Sequence, residues 1–411
     1  MRKIKKLKDV VDWGLCTGCG ACAYFCDKDA VVMQHIEEIG IVARIDDNRC
    51  GECRECLKFC PGYGVDSESI QRQFSGRESF DPLFGPYGKI WEGYAVDQEI
   101  RYRASSGGVL SAIALYCIQE EGMNFVLHTT MAKDSPWRNV PTRSFSKKDI
   151  LESAGSRYAP SSPCARLDLI ENSDRPCVFI GRPCDTAAVS SLRLLRPKLD
   201  SKLGLVLTFF CAGPPCTQGT IDLVRQLGVN PERVSSIRYR GNGWPGLFTV
   251  TYDDGKQKTL TYQQSWGRLA QSPRSMRCHL CPDGLGECSD ISCGDAWHRK
   301  SEEDNPGLSL VLARTNRGLT LVEKALAAGY LNLTASGASE VIASQGLIGR
   351  RKMLYGRFLA RKLFAVPNPR FAGFALKSSW RRLPFQERAR TVLGTGRRIV
   401  TRRLWQPRVL T

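Results

Sequence analysis

The middle of the chain alternates short apolar runs with longer segments whose apolar residues recur every three or four positions. Cys177–Ile180 and Leu205–Phe210 are such runs, and each precedes a loop rich in glycine or proline. Unbroken apolar runs of this length are typical of strands buried on both faces, whereas the spaced segments are typical of amphipathic helices. Residues 86 to 340 are therefore predicted to form an α/β layer with parallel strands.

The same pattern places individual elements along this region. The Ser106–Gly108 turn opens a helix with an apolar face, and further helices begin near Asp185 and Thr217, each after a buried strand. Strands are also predicted at Phe125–His128 and Leu247–Tyr252. Strand, loop and helix repeated in this order predict parallel neighbours whose loops meet at one edge of the sheet.

Two flanking regions differ from this body. Residues 1–75 hold eight cysteines in two groups, and residues 341–411 carry prolines that interrupt short helical runs. Gln71–Lys89 is rich in Gly, Ser, Pro and Asp, a composition typical of a linker. The pattern thus predicts a cysteine-rich domain, a mixed α/β domain at 86–340 and a helical C-terminal extension at 341–411.

Composition and charge narrow the classes of protein. Of the 411 residues, 42% are hydrophobic and 24% are charged, which is ordinary for a folded chain. No apolar segment has the length of a bilayer span and no secretory signal precedes the cysteines, so we expect a cytoplasmic protein with reduced thiols. The net charge of +18 lies mostly in residues 351–411, where 16 Lys or Arg accompany Glu387 alone. The charge therefore indicates a basic appendage on a nearly neutral body.

Eight cysteines follow the spacing C-x2-C-x2-C-x3-C twice. Three thiolates two residues apart wrap one face of an iron–sulfur cubane, and the fourth faces away and completes the other cluster. The alternative is a pair of zinc sites, which normally use two C-x2-C pairs and a long loop. The predicted ligands are Cys16, Cys19, Cys22 and Cys60 for one [4Fe–4S] cluster, and Cys50, Cys53, Cys56 and Cys26 for the other.

Four of the ten remaining cysteines could form a third group. Cys184 and Cys211 each follow a predicted buried strand, and Cys278 and Cys281 form a C-x2-C pair. Ligands bind beyond the carboxyl ends of parallel strands, so these sulfurs could meet in one crevice. A third cluster, a zinc site and isolated buried thiols all remain open from spacing alone. We interpret Cys117, Cys164, Cys177 and Cys216 as structural, and Cys288 or Cys293 could replace a proposed ligand.

Six short motifs occur in a fixed order along the chain: Arg103–Gly108, Gly155–Tyr158, Gly181–Asp185, Tyr239–Gly246, Cys278–Asp283 and Asp290–Trp297. Together they resemble the family of the coenzyme F420 hydrogenase/dehydrogenase beta subunit, and the resemblance covers residues 12 to about 340. It implies a flavoprotein with bound FAD that passes electrons between iron–sulfur clusters and a two-electron partner.

The resemblance also implies specific cofactors and partners. A [4Fe–4S] cluster is expected next to the flavin, at Cys184, Cys211, Cys278 and Cys281. Members use deazaflavin, ferredoxin or tetrapyrrole partners, so a ferredoxin or another redox protein is expected as electron donor, with a small-molecule two-electron substrate. The expected fold class is α+β: a two-cluster ferredoxin-like domain, a mixed α/β domain that binds flavin and iron–sulfur, and a basic helical tail.

The predicted flavin site lies at the start of a helix. Free N–H groups and the positive dipole end there suit a pyrophosphate, although a serine N-cap with packing glycines is the simpler interpretation. Tyr239–Gly246 contains the spacing GxGxxG, but Pro245 and the following strand exclude a dinucleotide fingerprint. The candidate flavin-binding residues are Arg103, Ser105, Ser106, Gly107 and Gly108, followed by Ser156, Arg157 and Tyr158.

Three classes of function remain. The first is a flavin-dependent oxidoreductase, in which clusters carry single electrons and FAD collects two. The second is an electron-transfer subunit of a larger redox complex, without a substrate site of its own. The third rests on the basic tail alone, which could bind nucleic acid, rest on an anionic membrane or form a solvated helical extension.

Overall fold

The computed structural model describes residues 3–74, 79–300 and 306–407. The N-terminal region surrounds a β-hairpin with two cysteine loops. Its elements are α1 (Leu7–Asp12), α2 (Ala21–Phe25), β1 (Val31–Ile36), β2 (Gly40–Ile45), α3 (Asp47–Cys50), a 3-10 turn at Glu55–Lys58, β3 (Gly64–Asp66) and α4 (Ser67–Phe74).

The central region alternates strands and helices, as the apolar pattern predicts. Its strands are β4 (Ser79–Asp81), β5 (Gly85–Tyr87), β6 (Lys89–Ala95), β7 (Val126–Met131), β8 (Asn139–Ser144), β9 (Cys177–Gly181), β10 (Leu203–Phe209), β11 (Val234–Arg238), β12 (Leu247–Tyr252), β13 (Lys256–Thr261), β14 (Ile291–Asp295), β15 (Ser309–Ala313) and β16 (Leu331–Ala335). Its helices are α5 (Gln98–Arg103), α6 (Val109–Gln119), α7 (Lys147–Glu152), α8 (Asp168–Glu171), α9 (Pro183–Leu192), α10 (Pro197–Lys202), α11 (Thr217–Gln226), α12 (Tyr262–Leu269), α13 (Met276–His279) and α14 (Asn316–Ala327).

One eight-stranded sheet organises this region. Its strand order is β16-β6-β15-β14-β10-β9-β7-β8, in which β14, β10, β9 and β7 run parallel and the outer pairs are antiparallel. The predicted parallel pairing of β9 with β10 is confirmed, with Val206 opposite Phe179. A separate antiparallel sheet, β11-β12-β13, packs with α11 and α12 around its own small core.

The parallel strands are apolar throughout because both of their faces are covered. Leu205 and Leu207 pack with α6 and α14 on one face, whereas Val206, between them, packs with the N-terminal region on the other. Phe59, close to the second cysteine loop, belongs to this second core. The cysteine-rich region is therefore held against the sheet, in one continuous apolar core with it.

The predicted linker contains ordered structure. Gln71 to Phe74 complete α4, and β4 and β5 form an antiparallel pair in which Phe80 lies opposite Pro86. Residues 75–78 lie outside the described part of the chain. Gly85 is required here because a Cβ would meet the side chain of Glu287 at about 2.2 Å. Glycine and proline thus mark close packing in this segment as well as turns.

The basic C-terminal region is not an appendage, contrary to expectation. Its elements are α15 (Ala338–Ser344), α16 (Ile348–Leu363), β17 (Arg370–Ala372), α17 (Leu376–Arg381) and α18 (Phe385–Thr401). β17 pairs in parallel with β3, so the segment closes over the N-terminal region. Buried Leu354, Phe374 and Ile399 recur among the arginines and attach it to the body. The charge count failed to predict this because it does not show which positions are buried.

Within residues 3–74, 79–300 and 306–407, no helix combines the length and the apolar character that crossing a bilayer requires.

Candidate functional site

The eight N-terminal cysteines come together in two crossed groups. Cys60, from the second motif, lies near Cys16 and Cys19 of the first, whereas Cys26 of the first motif lies near Cys56 of the second. Burial, followed by the neighbouring cysteines, raises the pKa of the Cys56 thiol to about 12. Such thiols release their protons when a metal cluster binds. The spatial grouping is the one that the spacing predicts.

Cys164 lies beside the inner cysteine group, although its spacing gave no sign of this. Its backbone N–H donates to the carbonyl oxygen of Cys19 at 3.0 Å. The Cys164 thiol donates to the carbonyl oxygen of Asp185 at 3.6 Å, and its side chain also contacts that of Cys19 and lowers the pKa of Cys19 below its ordinary value. Cys164 thus has a structural role that includes support of a candidate ligand.

The four candidate cysteines of the third group lie near one another at the edge of the sheet. Cys184 is the second residue of α9, directly beyond β9, and Cys211 follows β10. Cys278 lies in α13, and Cys281 follows the end of that helix. Cys211 lies near both Cys278 and Cys281, and Cys184 lies near Cys211 and Cys281. The parallel pairing of β9 and β10 brings the first two together.

Buried and half-buried cations surround this third group. Arg182 forms a bidentate ion pair with Asp185, at 2.8 and 2.7 Å, and donates to the carbonyl oxygen of Ser161. Burial raises the pKa of the Cys184 thiol, and the charge of Arg182 opposes that rise. The same charge also acts on Cys16. Arg182 therefore lies between the inner N-terminal group and the third group.

Three more arginines border the third group from outside. Arg274 and Arg350 both donate to the carbonyl oxygen of Ala212, at 3.0 and 2.8 Å, and Arg357 donates to that of His279. Burial and these cations lower the pKa of His279 to about 4, so its ring is neutral at neutral pH. Arg350 and Arg357 come from α16, so the C-terminal region contributes to this site.

Direct hydrogen bonds join the third group to the inner N-terminal group. The buried guanidinium of Arg277, next to Cys278, donates to the carbonyl oxygen of Pro61 at 3.0 and 3.1 Å. The hydroxyl of Ser275 donates to the carbonyl oxygen of Cys16 at 3.1 Å. Pro61 follows Cys60 and Cys16 is itself a candidate ligand, whereas Arg277 and Ser275 lie one and three positions before Cys278. The two loops therefore dock as one unit.

The donor sets fit iron–sulfur clusters better than single ions. Across the three described stretches, no three His, Cys, Asp or Glu side chains converge closely enough to hold one metal ion. A cubane instead places each thiolate on a different iron, which suits thiols that are grouped but separated. Backbone N–H groups of Gly18 and Gly213 donate to the sulfurs of Cys16 and Cys211, at 3.4 and 3.3 Å. Hydrogen bonds of this kind tune cluster ligands.

A cavity of about 480 Å³ lies next to the third group. Its lining includes the carboxyl ends of β9, β10 and β14, the edge at which parallel sheets bind ligands, together with residues from the first half of β7. Cys211 and Arg182 are part of its wall. The volume is within the range of small-molecule and cofactor pockets. The third cysteine group and the cavity thus share a boundary.

The first turn of α6 faces this cavity. Gly108, at φ 80°, precedes the helix, and its carbonyl oxygen accepts the first helical hydrogen bond, from Ala112. The N–H groups of residues 109–111 have no partner within the helix because they precede that bond. All three residues line the cavity. Such an N-terminus suits an anionic group such as a pyrophosphate.

The predicted flavin-site residues divide into three sets. Arg103 does not line the cavity, because its side chain pairs with Glu99 at 3.3 Å near the surface. Gly107 does not line it either: a Cβ there would meet the carbonyl oxygen of Gly93 at 2.4 Å, so this glycine permits close packing. Arg157 lines the cavity, but its guanidinium donates to Asn139 and to backbone carbonyls and therefore braces the wall. The other predicted residues in the lining are Ser105, Ser106, Gly108, Ser156 and Tyr158.

Sequence reasoning missed a charged and aromatic part of the cavity surroundings. Arg240 forms a bidentate ion pair with Asp295, at 2.9 and 2.7 Å, and Trp244 Nε1 donates to the same carboxylate. Tyr262 stacks on Trp297 with ring centroids 5.1 Å apart. Four of these residues lie inside motifs that carried the family resemblance, but neither spacing nor periodicity pairs positions 55 residues apart. The strand predicted after the GxGxxG spacing is confirmed, because β12 and not a helix follows it. This agrees with the exclusion of a dinucleotide-binding fingerprint at Tyr239–Gly246.

The remaining cysteines lie outside the third group. Cys117 is buried in α6, and Cys177 and Cys216 are buried as well. Cys288 lies among Asp283 and Glu287, with a pKa far above the ordinary thiol value because of burial and these carboxylates. Cys293 lies on β14 and lines the cavity. Neither Cys288 nor Cys293 replaces a member of the group of four.

Three family models match successive parts of the chain. Residues 90–167 match the coenzyme F420 hydrogenase/dehydrogenase beta subunit N-terminal model, and residues 174–338 match the C-terminal model of the same subunit. Residues 15–65 match a 4Fe-4S dicluster domain.

Individual relatives agree with these matches. The chain is 22% identical over 300 residues to the beta subunit of coenzyme F420 hydrogenase of Methanothermobacter thermautotrophicus, which covers 70% of this chain and 99% of that protein. It is 23% identical over 316 residues to a subunit of the F420H2 dehydrogenase of Methanosarcina mazei, which covers 71% of this chain and 80% of that protein.

The fold is also similar to that of a chain in a solved structure, the xenon-derivatised F420-reducing [NiFe] hydrogenase complex of Methanosarcina barkeri. The TM-score is 0.52 at 20% identity, over 68% of this chain and 96% of that chain. Fold, motif order and the matches to both halves of one subunit agree. This chain belongs to the family of the coenzyme F420 hydrogenase/dehydrogenase beta subunit and carries a 4Fe–4S dicluster domain at its N-terminus.

Proposed function

We propose that this chain is an iron–sulfur flavoprotein oxidoreductase. It relays electrons between three [4Fe–4S] clusters and FAD, and it reduces or oxidises an organic two-electron partner similar to coenzyme F420. A ferredoxin or another redox protein is the one-electron partner. The relatives named above carry F420 in their names, which supports this class of substrate.

One observation carries the proposal: the third cysteine group lies between the N-terminal cysteines and the cavity. Arg277 ties it to the Cys60 loop on one side, and Cys211 forms part of the cavity wall on the other. Cys53, in the outer N-terminal group, is exposed to solvent. These positions form a series from the surface to the cavity, which suits the passage of single electrons inwards or outwards.

The ligand assignment follows the spatial grouping of the thiols. The first cluster takes Cys16, Cys19, Cys22 and Cys60; the second takes Cys26, Cys50, Cys53 and Cys56; and the third takes Cys184, Cys211, Cys278 and Cys281. The positive charge of Arg182, close to the first and third sets, compensates part of the negative charge that four thiolates bring.

The cavity residues suit FAD. The N–H groups at the start of α6 would hold the pyrophosphate, with Ser105, Ser106, Gly108 and Ser156 alongside. Tyr158, Tyr262 and Trp297 supply the aromatic surface that a planar ring system needs. Bound FAD exchanges electrons singly with a cluster and in pairs with an organic substrate.

Side chains of the chain itself would orient the reacting ring. Asp295 fixes the guanidinium of Arg240 in a bidentate pair, so both side chains hold stationary positions at the cavity wall and their charges balance each other. Burial raises the pKa of the Tyr158 and Tyr262 phenols, so both hydroxyls keep their protons at neutral pH and can donate hydrogen bonds. Hydrogen bonds donated by these two phenols favour an electron-rich ring, whose oxygens and nitrogens are better acceptors.

The proposal is tested on protein purified without oxygen. We expect about 12 irons per chain, as three four-iron clusters require, together with stoichiometric FAD. The reduced protein should then pass electrons to coenzyme F420 or to another low-potential two-electron acceptor. A preparation that contains neither flavin nor more than about eight irons would contradict the proposal.

The alternative function is a non-catalytic electron-transfer subunit of a larger redox complex. It predicts the same cofactors, so colour and iron content do not separate the two. Steady-state turnover of a small-molecule acceptor by the isolated chain would exclude the alternative. If cofactor-replete protein shows electron transfer to a partner protein but no turnover of any small molecule, the alternative replaces the first proposal.

A further inference from the structure

The last helix, α18, exposes apolar side chains on one side. Phe385 and Leu393 are 74% and 72% exposed, and Val400 is about half exposed. Leu393 and Val400 are seven positions apart, and Phe385 precedes Leu393 by eight, so the three follow one side of the helix. A row of exposed apolar residues at helical spacing differs from the scattered exposure that is normal at protein surfaces.

Arginines border this apolar row. Arg390 and Arg397 each lie three positions before an apolar residue of the row, which makes them its neighbours on the helix surface. Residues 351–411 contain one acidic residue, Glu387. In the described part of that segment, Arg351 is the one cation that forms an ion pair with a carboxylate. The charge around the row is therefore positive and largely uncompensated.

The side of α18 that adjoins this row is already packed. Thr395, Gly396 and Ile399 are buried, and Trp380 Nε1 donates to the hydroxyl of Thr391 at 3.1 Å. The ring of Phe364, at the end of α16, lies against Gly396. The apolar row is thus the outer side of a helix fixed in place. The adjoining Leu363 is 77% exposed and enlarges the patch.

We propose that this basic–apolar face, formed by Phe385, Arg390, Leu393, Arg397, Val400 and Leu363, rests on the surface of an anionic lipid bilayer. A helix that lies in the membrane interface buries its apolar row at the level of the headgroups, and its arginines meet lipid phosphates. A protein partner would need acidic groups to balance the charge of the same arginines and an apolar surface to cover the row. Nucleic acid binds through its phosphates, which offer no apolar contact to Leu393 or Val400. The face lies beyond residue 338, where the match to the family model ends.

The test is vesicle flotation of the full chain under anaerobic conditions. Vesicles of phosphatidylglycerol and phosphatidylcholine should bind the chain at least about tenfold more tightly than vesicles of phosphatidylcholine alone. The double variant Leu393→Glu/Val400→Glu should lose at least about tenfold in binding, because it places charge on the inserted side. Both positions are exposed, so the variant should fold.

Two further variants separate charge from insertion. Arg390→Gln/Arg397→Gln should weaken binding to anionic vesicles and leave the weak binding to neutral vesicles unchanged. Val32→Glu, at an apolar position that is 58% exposed on β1, is the matched control and should bind as the parent chain does. Iron and flavin content should be equal in all variants, which keeps this result independent of the proposed redox function.

Two results would overturn the proposal. One is a Leu393→Glu/Val400→Glu variant that binds anionic vesicles as tightly as the parent chain. The other is a parent chain that does not bind vesicles but forms a stoichiometric complex with a protein partner, when the Leu393→Glu/Val400→Glu variant does not form this complex. The second result would assign the face to a protein interface.

Discussion

Cys184 and Cys216 both follow loops of the α/β region, yet only Cys184 has other candidate thiols around it. Loss of one thiolate from a four-thiolate site weakens cluster binding, whereas replacing an isolated buried thiol leaves metal content unchanged. We therefore expect Cys184→Ala to lower the iron content from about 12 to about 8 per chain, with Cys216→Ala at the parent value. Iron analysis together with electron paramagnetic resonance measures this. Equal iron in both variants would remove Cys184 from the ligand set.

Single residues differ in how far the sequence predicts their roles. The cysteine groups are predictable because short, repeated spacing is a local property of the chain. Cys164 beside Cys19 and Arg277 against Pro61 are contacts between positions more than 140 residues apart, and no local pattern encodes them. For Arg103 the structure shows a local contact in place of a distant one. Its position in a motif predicts contact with a ligand, whereas its side chain forms an ion pair with Glu99, four positions away.

Among elements, the short buried strands were the most predictable. Leu247–Tyr252 has the predicted bounds, and the helix after Gly108 begins where the glycines end. The basic helices were misjudged because their arginines were counted as solvent-facing. Arg351 on α16 is buried against Glu287, and such pairs allow a charged residue to occupy a core position.

This pair gives a prediction for α16. Arg351→Ala should lower the free energy of unfolding by about 3–5 kcal/mol, because it leaves the buried carboxyl of Glu287 without its cation. Lys352 lies on the same helix and is only half-buried, so Lys352→Ala should lower the free energy of unfolding by less than about 1 kcal/mol. Thermal unfolding of the anaerobic proteins compares the two.

The destabilisation should also depend on pH. Burial raises the pKa of Glu287 to about 7 even with Arg351 present, and loss of that cation raises it further. A carboxyl whose folded pKa exceeds its unfolded value favours the fold while it is protonated, and this contribution disappears as the pH rises through the folded pKa. Arg351→Ala should therefore be more destabilised, relative to the parent chain, at pH 8 than at pH 6. The opposite order would contradict a buried Glu287 carboxylate that depends on Arg351.

In the whole molecule, the loops carrying Cys60 and Cys278 meet through Arg277. We expect Arg277→Gln to slow flavin reduction by a one-electron donor several-fold, because the rate of electron transfer falls as the distance between the two centres grows. Stopped-flow absorbance measures the rate, and iron content should remain at the parent value. Arg277→Lys keeps a hydrogen-bond donor and should give a rate between those of Arg277→Gln and the parent chain. Arg268 is exposed, so Arg268→Gln should leave the rate unchanged. A parent-like rate in Arg277→Gln would show that the docking contact plays no part in the relay.

The pairing of β3 with β17 has a consequence for how the protein is made. Gly64 and Arg370 are neighbours in this pair but lie 306 positions apart in the chain. At synthesis rates of roughly 5 to 20 residues per second, about 15 to 60 seconds separate the two strands as they leave the ribosome. During that interval the loop that carries Cys60 is still uncovered. Loading of the N-terminal clusters thus has a window during translation, which closes when the C-terminal strand arrives.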